Sequence, residues 1–106
     1  MKEKIFENKV KRFLESKGIY RLGNYVGHAI GYYTKRHGSV FTGSGLPDLQ
    51  IVIRGMCYEV ELKNETGRTS PMQEFIIDQI NRSNGCAMVV NPKNFDTFVK
   101  FIEERI

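Results

Sequence analysis

The sequence predicts an α/β fold, a central mixed β-sheet flanked by helices. Three observations predict it. Leu49 to Arg54 and Cys57 to Lys63 are alternating runs two residues apart, the pattern of an antiparallel hairpin. A helix start at Ser70 and an apolar run from Cys86 follow at the lengths of a right-handed crossover, which adds a parallel strand. Amphipathic stretches at both ends of the chain supply further helices.

The elements follow in chain order. Residues 2–17 read as a helix whose stripe is Phe6, Val10, Phe13 and Leu14, with Ile5 at its edge, and Gly18 stops it. Residues 19–47 are rich in tyrosine and glycine. Strands near 29–34 and 39–42 are expected there, joined by a turn at Lys35-Arg36-His37-Gly38. Leu46 precedes a proline and so approaches Asp48 in an extended conformation. Gly55-Met56 reads as the hairpin turn. Ser70-Pro71-Met72-Gln73 has Ser at the N-cap, Pro at the first helical position and Gln at the third, a capping box. That helix should run to about Asn84, with Met72, Phe75, Ile76 and Ile80 inward, and end at Gly85. Residues 86–90 form a short apolar strand and 94–105 a last helix on Phe95, Phe98, Val99 and Ile102.

The chain has 106 residues, enough for one domain spanning 1–106 with a small core. Sixteen basic residues against 12 acidic ones give a net charge of +4, which favours a polyanionic partner without requiring one. Cys57 and Cys86 lie in apolar runs and read as buried free thiols of a reducing compartment. No apolar run approaches membrane-spanning length. The expectation is a soluble, cytoplasmic protein with no membrane partner.

The chemistry gathers at one place. A short hairpin brings the start of its first strand beside the end of its second, so Asp48 meets Glu61, Leu62 and Lys63. Alternation puts Glu61 and Lys63 on one face. Two carboxylates can hold Mg²⁺ or Mn²⁺, hard ions that take oxygen ligands, and the backbone carbonyl of Leu62 offers a third oxygen. Lys63 could orient or deprotonate a water, or stabilise developing charge. Glu61 and Lys63 alone also fit an ordinary solvated strand face, which Glu59 extends with no special role, and Pro47-Asp48 also fits a plain turn.

Gly45-Leu46-Pro47-Asp48, Glu61-Leu62-Lys63 and Gly67-Arg68-Thr69-Ser70-Pro71-Met72-Gln73 together resemble the VRR-NUC (virus-type replication-repair nuclease) family of the PD-(D/E)xK nuclease superfamily. The resemblance covers about Glu7 to Val90. It implies a restriction-endonuclease-like core. It further implies Asp48 and Glu61 as metal ligands, Lys63 as catalytic lysine and Gln73 as an added polar site residue. Glu7 best matches the acid that a first helix often contributes, with Glu3 as the fallback. Gln73 serves equally as a capping residue, and Glu7 as part of a charged helix face. Stand-alone members resemble phage homodimers that act on branched DNA, including four-way junctions, which would place this chain in a host cytoplasm.

Phosphate contacts are expected from Lys35, Arg36 and His37, the densest basic cluster, and from Arg68, with a solvated turn as the alternative. No Cys/His cluster has zinc spacing. The aromatic stretch 19–41 would suit a dimer interface. The leading expectation is a Mg²⁺-dependent, structure-selective DNA endonuclease. The rival is a non-catalytic DNA-binding or interaction protein on a nuclease-like fold. A sequence-reading restriction-type nuclease is a third option, for which this length leaves little room.

Overall fold

The computed structural model describes residues 2–24, 27–36 and 45–106. Within them the chain runs α1 (Glu3–Ser16), β1 (Ile19–Arg21), β2 (Gly31–Lys35), β3 (Leu49–Ile53), β4 (Met56–Leu62), α2 (Pro71–Arg82), β5 (Ala87–Val90) and α3 (Phe95–Glu103). The five strands lie in sequence order across one mixed sheet. The outer pairs, β1 with β2 and β4 with β5, are parallel, and the inner pairs are antiparallel. The expected mixed sheet flanked by helices is what forms.

Turn chemistry fixes the central hairpin. Its two turn residues are Arg54 and Gly55, one position earlier than expected. Their φ angles are 50° and 85°, the left-handed pair whose twist matches that of the flanking strands. Ile53 then pairs with Met56, and the alternation carries back to Leu49 opposite Val60. The crossover from β4 through α2 to β5 is parallel as expected, with Glu61 beside Val89 and Leu62 beside Val90. Strand β2 falls where the first uncertain strand was expected. Strand β1, which the sequence did not mark, pairs parallel with it from Ile19 to Arg21. The strand expected near 39–42 lies outside the described residues.

Period-2 alternation sends Leu49, Ile51, Ile53, Tyr58, Val60 and Leu62 to one sheet face, where all are buried. Helix α1 adds Phe6, Val10 and Leu14, and α3 adds Phe98 and Ile102. Edge-on aromatic pairs tie this side together: Tyr58 of β4 to Phe101 of α3 at 5.4 Å, and Phe6 of α1 to Phe95 of α3 at 5.9 Å between ring centroids. Burying each such side chain contributes roughly 1.5–3 kcal/mol.

The opposite face is covered differently. Helix α2 packs along β5 and has no buried residue. Met72 and Phe75, expected to point inward, are 50% and 64% exposed. Their stripe overhangs the short β5, whose four residues offer too little sheet to cover it. Ile5 is likewise exposed, because α1 turns Glu7 inward beside Phe6 and Val10. Cys57 also departs from expectation: it is exposed near the hairpin turn, on the face α2 leaves open, while Cys86 is half-buried. Among the described residues no helix is long and apolar enough to cross a membrane.

Candidate active site

The hairpin register builds the site. With Leu49 opposite Val60, the next residue outward, Asp48, lies alongside Glu61. One oxygen of Asp48, Oδ2, accepts the backbone N–H of Leu62 at 2.9 Å, so the carboxylate is tied to the end of β4. Its backbone carbonyl accepts the N–H of Arg36 at 2.7 Å. Asp48 is thus held by both strands that flank β3.

Glu61 is 2% exposed, which a carboxylate reaches only with strong partners. Its Oε2 accepts from Gln73 Nε2 at 3.0 Å and pairs with Lys63 Nζ at 3.2 Å. Among the described residues, its buried Oε1 has no hydrogen-bond donor. Burial, followed by the negative charge of Asp48, pushes the Glu61 carboxyl up to about 7, against the opposing pull of Lys63.

The capping box delivers Gln73. Ser70 Oγ accepts the Gln73 N–H at 3.1 Å, and Gln73 Oε1 accepts the Ser70 N–H at 2.9 Å. The amide nitrogen of the same side chain reaches Glu61. Gln73 is therefore both the capping residue of α2 and a hydrogen-bond partner of Glu61.

Glu7 comes from the other layer. Its Oε2 lies 2.8 Å from Lys11 Nζ and 3.2 Å from Lys4 Nζ, and its Oε1 lies 3.3 Å from Lys35 Nζ. Burial raises the Glu7 carboxyl, but the lysines outweigh it and hold the group at about 2. Glu3, one turn earlier, is exposed.

Two members of the basic cluster, Lys35 and Arg36, are tied into the fold. Lys35 is the last residue of β2, and its Nζ also lies 3.4 Å from Asp48 Oδ1. Arg36 grips Glu59 with both arms, at 2.6 and 2.8 Å, and also donates to the Pro47 carbonyl at 2.9 Å. His37 lies outside the described residues. Arg68 is exposed in the loop between β4 and α2. Glu59, read as having no role, anchors the arginine that clamps the turn before Asp48, and Gln50 joins it at 3.2 Å. Lys4 and Lys11 had a visible signal, since both are spaced one helical turn from Glu7. Lys35 had none, because the register of β2 against β3 cannot be read across the connection between them.

An unpartnered carboxylate oxygen beside a second carboxylate is what a hard cation would fill. The residues fit such an ion through Asp48 and Glu61. Among the described residues no group of three or more His, Cys, Asp or Glu gathers, so any further ligands that these residues supply would be backbone oxygens, with water completing the shell.

No family model matches the sequence, and no curated protein matches it. A solved structure described as a VRR_NUC domain matches with a TM-score of 0.68 and 24% sequence identity, over 98% of this chain and 97% of that one. The chain has the fold of that domain.

Proposed function

We propose that this chain is a metal-dependent DNA endonuclease that hydrolyses phosphodiester bonds, with branched DNA such as four-way junctions as substrate. The observation that carries the reading is the buried Oε1 of Glu61, without a donor among the described residues, beside Asp48 and with an amine on the same strand end. A non-catalytic binder gains nothing from leaving a buried carboxylate oxygen without a partner. The shared VRR_NUC fold and the sequence resemblance support the same chemistry.

Asp48 and Glu61 would hold Mg²⁺ or Mn²⁺, with the Leu62 carbonyl as a further oxygen. Such an ion supplies charge neutralisation on the phosphate and a bound water of lowered pKa. The protein does the rest. Leu62 N–H and Lys35 fix the Asp48 carboxylate, and Gln73 fixes Glu61. Lys63, paired with Glu61 Oε2, would orient the attacking water and stabilise charge growing on the phosphate. Arg68 is the exposed candidate for a phosphate contact, since Lys35 and Arg36 already have partners within the chain. A homodimer would offer two such sites to the matched strands of a junction.

The test is cleavage of four-way, flap and linear DNA with Mg²⁺ or with EDTA. Cleavage should be greatest on the junction, vanish in EDTA, and fall by roughly 10²-fold or more in Lys63→Ala, the usual scale for losing a positioned proton-transfer or charge-stabilising group. Asp48→Ala should be inactive. Binding without metal-dependent cleavage on every substrate would sink the enzyme reading, and equal cleavage of all three would sink the selectivity.

A further inference from the structure

We infer that Lys35 is the second cation of this site: the protein binds one divalent ion, and the Lys35 ammonium stands in place of another. The inference rests on the metal reading given above.

The argument starts from who neutralises whom. A buried carboxylate needs a positive partner, and the nature of that partner shows what else it can bind. Glu61 has an oxygen with no donor among the described residues and so has room for a cation. Glu7 has no such room. Lys4 and Lys11 share its Oε2, and Lys35 takes its Oε1. A first-helix acid that was meant to ligate an ion would not be surrounded by three ammonium groups.

Lys35 itself is well fixed. It ends β2, one position before the Arg36 N–H that bonds the Asp48 carbonyl. Its side chain is only 18% exposed, and its Nζ lies 3.3 Å from Glu7 and 3.4 Å from Asp48. Those two acids come from separate layers, one from α1 and one from the start of β3. The ammonium is therefore a bridge across the space that a second ion shared by Glu7 and Asp48 would need. An ion there would have to displace the ammonium, which already sits 3.3 Å from Glu7 Oε1 and 3.4 Å from Asp48 Oδ1. Glu7 on this view is the seat of Lys35 and not a metal ligand.

Isothermal titration with Mn²⁺, backed by electron paramagnetic resonance counting of bound Mn²⁺, tests this without any cleavage. The wild-type protein should bind one ion per chain. Lys35→Met should bind two, Lys35→Arg one, and Glu7→Gln one. Two ions in the wild type, one in a folded Lys35→Met, or none in Glu7→Gln would each overturn the inference. Should Lys35→Met fail to fold by circular dichroism, the wild-type and Glu7→Gln counts still decide. No Mn²⁺ bound to the wild type would overturn this inference together with the metal reading beneath it. One bound ion with no cleavage of any DNA would overturn the nuclease reading and leave this one standing.

Discussion

Glu61 is a carboxylate whose position opposes its charge. Burial and the Asp48 charge push its pKa up to about 7, from an ordinary value of 4.5. The sign follows directly. Between those two values the folded state binds the proton and the unfolded state does not, so stability falls as pH rises through that window. Above it the ionised group is a constant cost. Glu61→Gln keeps an oxygen for Gln73 and removes the charge. It should raise the melting temperature near pH 8 by roughly 5 °C, the shift that about 1 kcal/mol gives a domain of this size. Near pH 5 the gain should nearly vanish. A thermal melt series across pH checks it, and a gain independent of pH would refute the assignment.

At the scale of elements, the β2–β3 pairing sets how the two halves of the site meet. Gly31 lies opposite Ile53 there, and a Cβ at Gly31 would come 2.1 Å from the Val52 carbonyl oxygen. That oxygen is backbone and cannot move aside. Gly31→Ala should therefore cost about 1–3 kcal/mol, as overpacking does, measurable as a lower denaturant midpoint. An unchanged midpoint would show that the strands can shift. The sequence made some elements legible and hid others for physical reasons. Ser70, Pro71 and Gln73 announce α2 because capping is local, and the alternation around Gly55 announces the hairpin. Arg54 hid the true turn, since nothing in its side chain marks a positive φ. Asp48, Glu61 and Lys63 could be joined through a two-residue turn. Lys35, Arg36 and Glu59 could not, because their contacts depend on a register set across the long connection from β2 to β3. The stripe of α2 was legible as apolar, but its exposure depends on how little sheet lies beneath it.

At the scale of the whole molecule, the two faces of the sheet are unequally clothed. Two helices cover one, while on the other α2 packs along β5 and leaves Tyr32 and Cys57 partly open to solvent. Exposed Leu22 extends the apolar surface beside Tyr32. The homodimer proposed above predicts that light scattering returns twice the 12.2 kDa chain mass; a monomer at micromolar concentration would refute it. The same asymmetry has a consequence for motion. A helix without a buried side chain is the part that can lift away while the core stays folded. When it does, Gln73 leaves with it, and Glu61 loses its only amide donor among the described residues. Amide hydrogens of α2 should thus exchange with solvent sooner than those of α1 and α3, and equal protection of all three would refute this. Opening of one thin layer would then switch the carboxylate between a held and an unheld state, with no change to the rest of the fold.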